Sequence, residues 1–231
     1  MPDTTLPAPF RWEGAHIAAD LPGGRVLFST RRGGVSTGPY ESLNLGRLTA
    51  DDGANVDENR ERLAALVGLP RARFMYGRQV HGSTVRRATE PPGPARPAAE
   101  EDGQATALDG AAVLVFVADC LPVMLVAPGA VAALHGGWRG LAAGIVAEGV
   151  AAVREVGGEG PVTAAIGPGA RGCCYEVSEP VQEAFAGVAT IHDTGLCTIC
   201  AGAELFFSHR RDKGVTGRQA GVAWRGGAAP S

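Results

Sequence analysis

The sequence predicts a mixed α/β layered domain. Three observations lead there: an unbroken, largely β-branched run at Val113–Ala118, two apolar runs folded about Pro128-Gly129, and two stretches with helical periodicity.

In chain order, Asn55–Val67 places Val56, Leu63 and Leu66 near one face and meets Gly68 and Pro70 as stop signals, which predicts a helix. Ala88–Ala105 carries Pro91, Pro92, Pro94 and Pro97 and several acidic residues. Proline removes backbone donors and fixes φ, so this stretch reads as a surface connection inside one domain. Val113–Ala118 fits a strand buried on both faces. Val123–Ala127 and Val131–Leu134 flank the Pro128-Gly129 turn and predict a hairpin. Leu141–Val156 reads as a second helix, stopped at Gly157-Gly158, and Val162–Ile166 as a fourth strand. Ser178, as N-cap with Pro180 in the first turn, predicts a third, shorter helix.

Composition narrows the function classes. The 231 residues carry a net charge of −3, which favours neither a nucleic-acid partner nor an anionic membrane surface. No apolar run approaches the ~18 residues of a membrane span, and the first residues lack a secretory pattern, so a cytoplasmic protein is expected. Lys213 is the sole lysine and sits in a polar run, a poor setting for Schiff-base chemistry. Five cysteines are an odd number and do not read as a disulfide framework.

Three polar residues follow apolar segments or precede turns. They are His81 in Gln79-Val80-His81-Gly82, Cys120 in Ala118-Asp119-Cys120-Leu121-Pro122, and His135 in His135-Gly136-Gly137-Trp138-Arg139-Gly140. Two imidazoles and a thiolate suit zinc, with a fourth position left for water. The spacing matches no zinc-finger pattern. On its own it leaves three readings open: a metal shell, a Cys–His nucleophile pair, or buried structural residues.

The strings that surround these residues resemble the YfiH-like family, also called the laccase-domain or multicopper polyphenol oxidase family. They are Thr30-Arg31-Arg32-Gly33-Gly34-Val35-Ser36, Gly38-Pro39-Tyr40, Ser42-Leu43-Asn44-Leu45-Gly46, Glu58-Asn59-Arg60, the three strings above, Ile166-Gly167-Pro168, Cys174-Tyr175-Glu176-Val177 and Phe207-Ser208-His209-Arg210-Arg211. Two departures stand out: Gly136 replaces the family's usual alanine, and Pro168-Gly169-Ala170-Arg171-Gly172 lacks the usual Cys-Ile.

The resemblance implies an N-terminal extension over residues 1–24 and a domain over 25–231, built on a β-sandwich-like core shared distantly with toxin deamidases. It implies a zinc-dependent purine nucleoside phosphorylase with adenosine deaminase and methylthioadenosine phosphorylase activity, acting on purine nucleosides and phosphate as a monomer or homodimer. The metal ligands would be His81, Cys120 and His135. Bacterial members are also called peptidoglycan editing factors, so a Cys120-dependent hydrolase that edits peptidoglycan precursors is the alternative.

Deamination needs a proton donor for the leaving ammonia, and Asp119 and Glu176 are the candidates beside Cys120 as catalytic residues. Asp119 reads equally as a turn-stabilising carboxylate. Phosphorolysis needs a phosphate clamp, for which Arg31, Arg139 and Arg211 offer planar forks. Asn44 lies between leucines and needs partners, either backbone or ligand. Trp138 can stack on a purine or pack in the core. Cys173-Cys174 and Cys197-x-x-Cys200 offer four thiols to a second zinc, but adjacent cysteines chelate one metal poorly, so core packing or incidental thiols are expected. Five histidines are too few for a blue-copper site plus a trinuclear cluster, which excludes multicopper chemistry.

Overall fold

A computed structural model of the protein describes residues 5–90, 99–175 and 185–226. Its elements in chain order are β1 (Arg11–Glu13), β2 (His16–Leu21), β3 (Gly24–Phe28), α1 (Gly53–Val67), β4 (Phe74–Met75), β5 (Val85–Arg87) and β6 (Gly103–Thr106). There follow β7 (Ala112–Val117), β8 (Leu121–Ala127), β9 (Ala130–Gly136), α2 (Trp138–Ala142), α3 (Ile145–Glu155), β10 (Thr163–Ile166), β11 (Thr190–Asp193) and β12 (Gln219–Trp224).

The strands form two six-stranded sheets, ordered β1-β2-β3-β12-β7-β4 and β11-β10-β8-β9-β6-β5. Residues 11–21, ahead of position 25, supply the first two strands of the first sheet. Side-chain alternation decides which layer each residue joins. Along β7, Val113, Val115 and Val117 face the second sheet, while Ala112 and Leu114 face α1 with Leu63 and Val67. Along β8 and β9, Met124, Val126, Val131 and Ala133 fill the space between the sheets, and Leu125, Ala132 and Leu134 pack on Ile145 and Val153 of α3. Both faces of these strands are covered, so they read as unbroken apolar runs. The order of layers is α1, sheet, sheet, α3.

Several expectations need correction. α1 starts where Asp52 accepts a hydrogen bond from the Ala54 N–H and stops at left-handed Gly68. Val56 and Leu63 are buried in it as expected, but Leu66 faces solvent and Val67 takes the core position. The expected helix Leu141–Val156 is two helices, because Gly144 adopts a left-handed conformation (φ 83°) that breaks the hydrogen-bond ladder. The segment Ala88–Ala105 is not wholly irregular: Gly103–Thr106 is strand β6, paired with β9 and, in parallel, with β5. The helix expected at Ser178 lies outside the described residues. β12 carries no strong sequence signal because it is rich in small residues. Those residues admit close packing: a Cβ at Gly221 would stand 2.7 Å from Pro122 and 2.9 Å from Met124.

Candidate metal centre

The β8–β9 hairpin places two of the three candidate ligands together. Its register pairs Pro122 with His135 and Leu121 with Gly136, so Cys120, just ahead of β8, comes alongside the end of β9. His135 shares the strand parity of Val131 and Ala133 and therefore projects toward the intersheet side. Gly137 lets the chain pass: a Cβ there would stand 3.0 Å from His81 and 3.4 Å from the Cys120 sulfur.

His81 arrives from a different direction. Its loop is tied to β7 by Gln79, whose amide donates to the Phe116 carbonyl and accepts from the Phe116 N–H, each at 2.8 Å. His81 itself sits in left-handed backbone at φ 63°. The loop wraps the carboxylate of Asp102, which accepts from the N–H groups of Val80 (3.1 Å), His81 (2.9 Å) and Gly82 (2.7 Å). The same carboxylate lies 2.8 Å from Nδ1 of His135. Asp102 is fully buried, held by β6, whose pairing with β9 continues into a 2.7 Å bond from the His135 N–H to the Asp102 carbonyl.

The outcome is a compact donor set. One ligand atom from each of His81, Cys120 and His135 lies within 4.8 Å of the others. The two imidazole rings stand 4.8 Å apart, tilted by 66°. His135 is buried, Cys120 half-buried and His81 exposed, so one side opens to solvent. With Nδ1 of His135 engaged by Asp102, Nε2 is the nitrogen left for a metal.

Electrostatics favour the charged forms. Burial alone would raise the Cys120 thiol, but hydrogen bonds with His135 and His81 bring it down to about 6. Burial alone would lower His135, but Asp102 and Cys120 raise it to about 9. Burial lowers the pKa of Arg218, opposed by the negative charges of Cys120 and Asp119.

The other candidates are placed as follows. Asp119, left-handed at φ 91°, accepts from the Thr198 hydroxyl (2.6 Å) and the Arg210 N–H (2.7 Å), one on each oxygen. These bonds tie two loops to the turn that carries Cys120. Asn44 is fully buried and bonded within the protein: its amide donates to Thr49 and Asp51, and its oxygen accepts from the N–H groups of Gly46 and Arg218. Arg211 forks onto Asp212 and donates to the carbonyls of Thr198 and Phe206. Arg31 donates to the carbonyls of Ala203 and Glu41 and lies over the Phe207 ring. Arg139 is exposed and stacks 4.5 Å from the ring of Trp138, which is 48% exposed rather than in the core. Glu176 lies outside the described residues. Of the five histidines, only His81 and His135 join such a donor group among the described residues.

Nothing in the sequence singles out Asp102. It ends the run Glu100-Glu101-Asp102, in a segment that reads as surface. Arg218, half-buried, likewise stands in no pattern that would single it out.

A family model described as multi-copper polyphenol oxidoreductase laccase matches residues 25–188 and 184–226. The chain is 37% identical to a purine nucleoside phosphorylase of Streptomyces coelicolor, over 87% of this chain and 96% of that protein. It is 36% identical to the purine nucleoside phosphorylase YfiH of Shigella flexneri, over 85% and 91%. Among solved structures, YlmD of Geobacillus stearothermophilus superposes with a TM-score of 0.84 at 30% identity, covering 96% of this chain and 100% of that one. Sequence and fold agree across almost the whole length, and the chain belongs to the laccase-like YfiH family.

Proposed function

We propose that this chain is a zinc-dependent purine nucleoside phosphorylase that also deaminates adenosine and cleaves methylthioadenosine. The observation that carries the reading is the convergence of His81, Cys120 and His135 in front of buried Asp102. It occurs in a chain whose relatives bear the name purine nucleoside phosphorylase.

The residues fit a metal. Two imidazole nitrogens and one thiolate sulfur suit a borderline-soft cation, and a buried carboxylate behind one histidine is the usual support of such a ligand. Zinc held there by His81, Cys120 and His135 would supply a Lewis acid with one open coordination position. The chain's own residues do the rest. Asp102 holds His135 in the tautomer that presents Nε2, and its three bonds to the 80–82 backbone hold His81 in register. Arg139, two residues after Gly137, offers an exposed fork to phosphate. In phosphorolysis a phosphate oxygen bonds to C1′ as the bond from C1′ to the purine nitrogen breaks and the base leaves with a proton. Arg31 and Arg211 already spend donors on carbonyls, so Arg139 is the better phosphate candidate.

The test is direct: purified metal-loaded protein is given adenosine or inosine with and without phosphate, and inosine, free base and ribose 1-phosphate are followed. Phosphate-dependent ribose 1-phosphate is expected, together with phosphate-independent inosine from adenosine. No product from metal-loaded protein would end the reading.

One observation favours the second reading. A thiol at about 6 beside an imidazole raised to about 9 is also the arrangement of a cysteine nucleophile and its partner. Cys120→Ala separates the two. Loss of one metal per chain together with nucleoside turnover supports the phosphorylase. Full metal retention with loss of acyl transfer supports the hydrolase.

A further inference from the structure

Four cysteines outside this centre meet at one point. Cys173 and Cys174 lie in the turn after β10, and Cys197 and Cys200 in the turn after β11. Their four sulfur atoms all lie within 4.8 Å of one another. Cys200 is 3.0 Å from Cys174 and 3.4 Å from Cys173. All four are free thiols. Core packing does not explain them, because Cys173 and Cys200 are exposed.

The objection that adjacent cysteines chelate one metal poorly holds for extended chain, where neighbours point to opposite faces. Here the N–H groups of Cys174 and Tyr175 both bond the Arg171 carbonyl at 2.8 Å, and the resulting turn brings both sulfurs to one side. Across the gap, the N–H of Ala201 bonds the Cys197 carbonyl at 2.9 Å and folds Cys197-x-x-Cys200 into a compact loop. Cys197 is a buried residue, and its sulfur receives the backbone N–H groups of Cys200, Arg171 and Ile199. A neutral thiol sulfur is a weak acceptor, so three amides aimed at one sulfur suit a thiolate. Four thiolates around a tetrahedral ion at about 2.3 Å would stand about 3.8 Å from one another, within the range of spacings here.

We infer that Cys173, Cys174, Cys197 and Cys200 form a second metal site, for a thiophilic divalent cation of tetrahedral preference, of which zinc is the best match. Binding displaces the thiol protons to solvent and forms four metal–sulfur bonds, with no change in oxidation state. Four protein ligands leave no open position, so this site is structural. Its loop reaches the first centre. Thr198, between Cys197 and Cys200, donates to Asp119 at 2.6 Å, and the Ala170 N–H bonds the Asp119 carbonyl at 2.7 Å. Asp119 precedes Cys120, so the second metal braces the turn that presents the first centre's thiolate.

The test uses the full chain, purified with a thiol-free reductant and freed of loose metal. A His81→Ala/Cys120→Ala variant dismantles the first centre and keeps all four cysteines. It is expected to retain one zinc per chain, with X-ray absorption showing four sulfurs at about 2.3 Å. Cys197→Ser/Cys200→Ser, in the otherwise intact chain, is expected to lose one metal and keep the first. The inference falls if the first variant binds no stoichiometric metal, if its zinc shows nitrogen or oxygen ligands, or if intact mass shows a disulfide among the four cysteines. Should the second variant fail to fold, the measurements on the first still decide. A wild-type chain holding one metal, bound by four sulfurs, would instead defeat the first centre and leave this one standing.

Discussion

The Oδ1 atom of Asp102 lies 2.8 Å from Nδ1 of His135 and 2.9 Å from the backbone nitrogen of His81, so one buried carboxylate orients both histidines of the candidate centre. Burial alone would raise its pKa, but bonds from His135, Gly82 and Val80 hold it below the ordinary carboxylate value. It therefore stays an acceptor at neutral pH. Removing such a support costs a metal site about 10–100-fold in affinity. Asp102→Ala is expected to weaken binding by that factor in competition with a chelator, and an unchanged affinity would deny Asp102 its role.

Gly137 makes the second prediction. Its backbone (φ −70°, ψ 151°) admits any residue, so the need for glycine is spatial. An alanine Cβ would press His81 at 3.0 Å and Cys120 at 3.4 Å. Metal–ligand distances tolerate only about 0.2 Å, and relief of the contact takes a few tenths. Gly137→Ala is expected to lower metal affinity by about tenfold or more. The thermal midpoint of the metal-free protein should stay near wild type. A parallel fall of both would make Gly137 a folding residue instead.

The central strands, and the places of His81, Cys120 and His135 at turns, were legible in the sequence because those signals are local, whereas the spacing of the three left a metal shell, a nucleophile pair and buried structural residues open. Val113–Ala118 and the Pro128-Gly129 hairpin announce themselves by composition, and turns beside apolar runs mark Cys120 and His135. Asp102 was not legible, because what buries it is the β6–β9 pairing across about thirty residues. The four-cysteine cluster failed for the same kind of reason: the turn at Arg171 reverses what adjacency suggests. Some strings that carry the family resemblance are structural. Glu58-Asn59-Arg60 reads as a motif because Arg60 donates to the Leu45 carbonyl and Asn59 knits Val35, Ser36, Ser42 and Asn44 together.

Asn59 follows from that network. It is fully buried, accepts from the Val35 N–H at 2.8 Å and donates to the carbonyls of Ser42 and Asn44. Asn59→Ala orphans the Val35 N–H and the Asn44 carbonyl, at about 1–3 kcal/mol for each one that water cannot reach, while the Ser42 carbonyl keeps its bond from the Ser36 N–H. The expected loss is about 2 kcal/mol or more, read as a lower denaturant midpoint. A loss under about 1 kcal/mol would show that water or relaxation replaces the bonds.

His16 gives the protein a pH dependence remote from the candidate metal centre. The ring is 5% exposed, and its Nδ1 accepts from the Thr30 N–H at 3.2 Å. Burial lowers its pKa, against a smaller opposing pull from Glu13. An accepting nitrogen must be unprotonated, which agrees with that direction. The unfolded chain, with a histidine pKa of about 6.5, therefore takes up the proton first. Stability contributed by neutral His16 is complete above about 6.5 and declines as pH falls through the lowered folded value. His16→Gln keeps a neutral acceptor and removes the titration. Groups common to both proteins cancel in the difference, the candidate metal ligands included. The stability of wild type minus that of H16Q is expected to shrink between pH 8 and pH 5, measured by denaturant unfolding at each pH. A difference that stays constant or grows toward pH 5 would mean that buried His16 accepts its proton without cost.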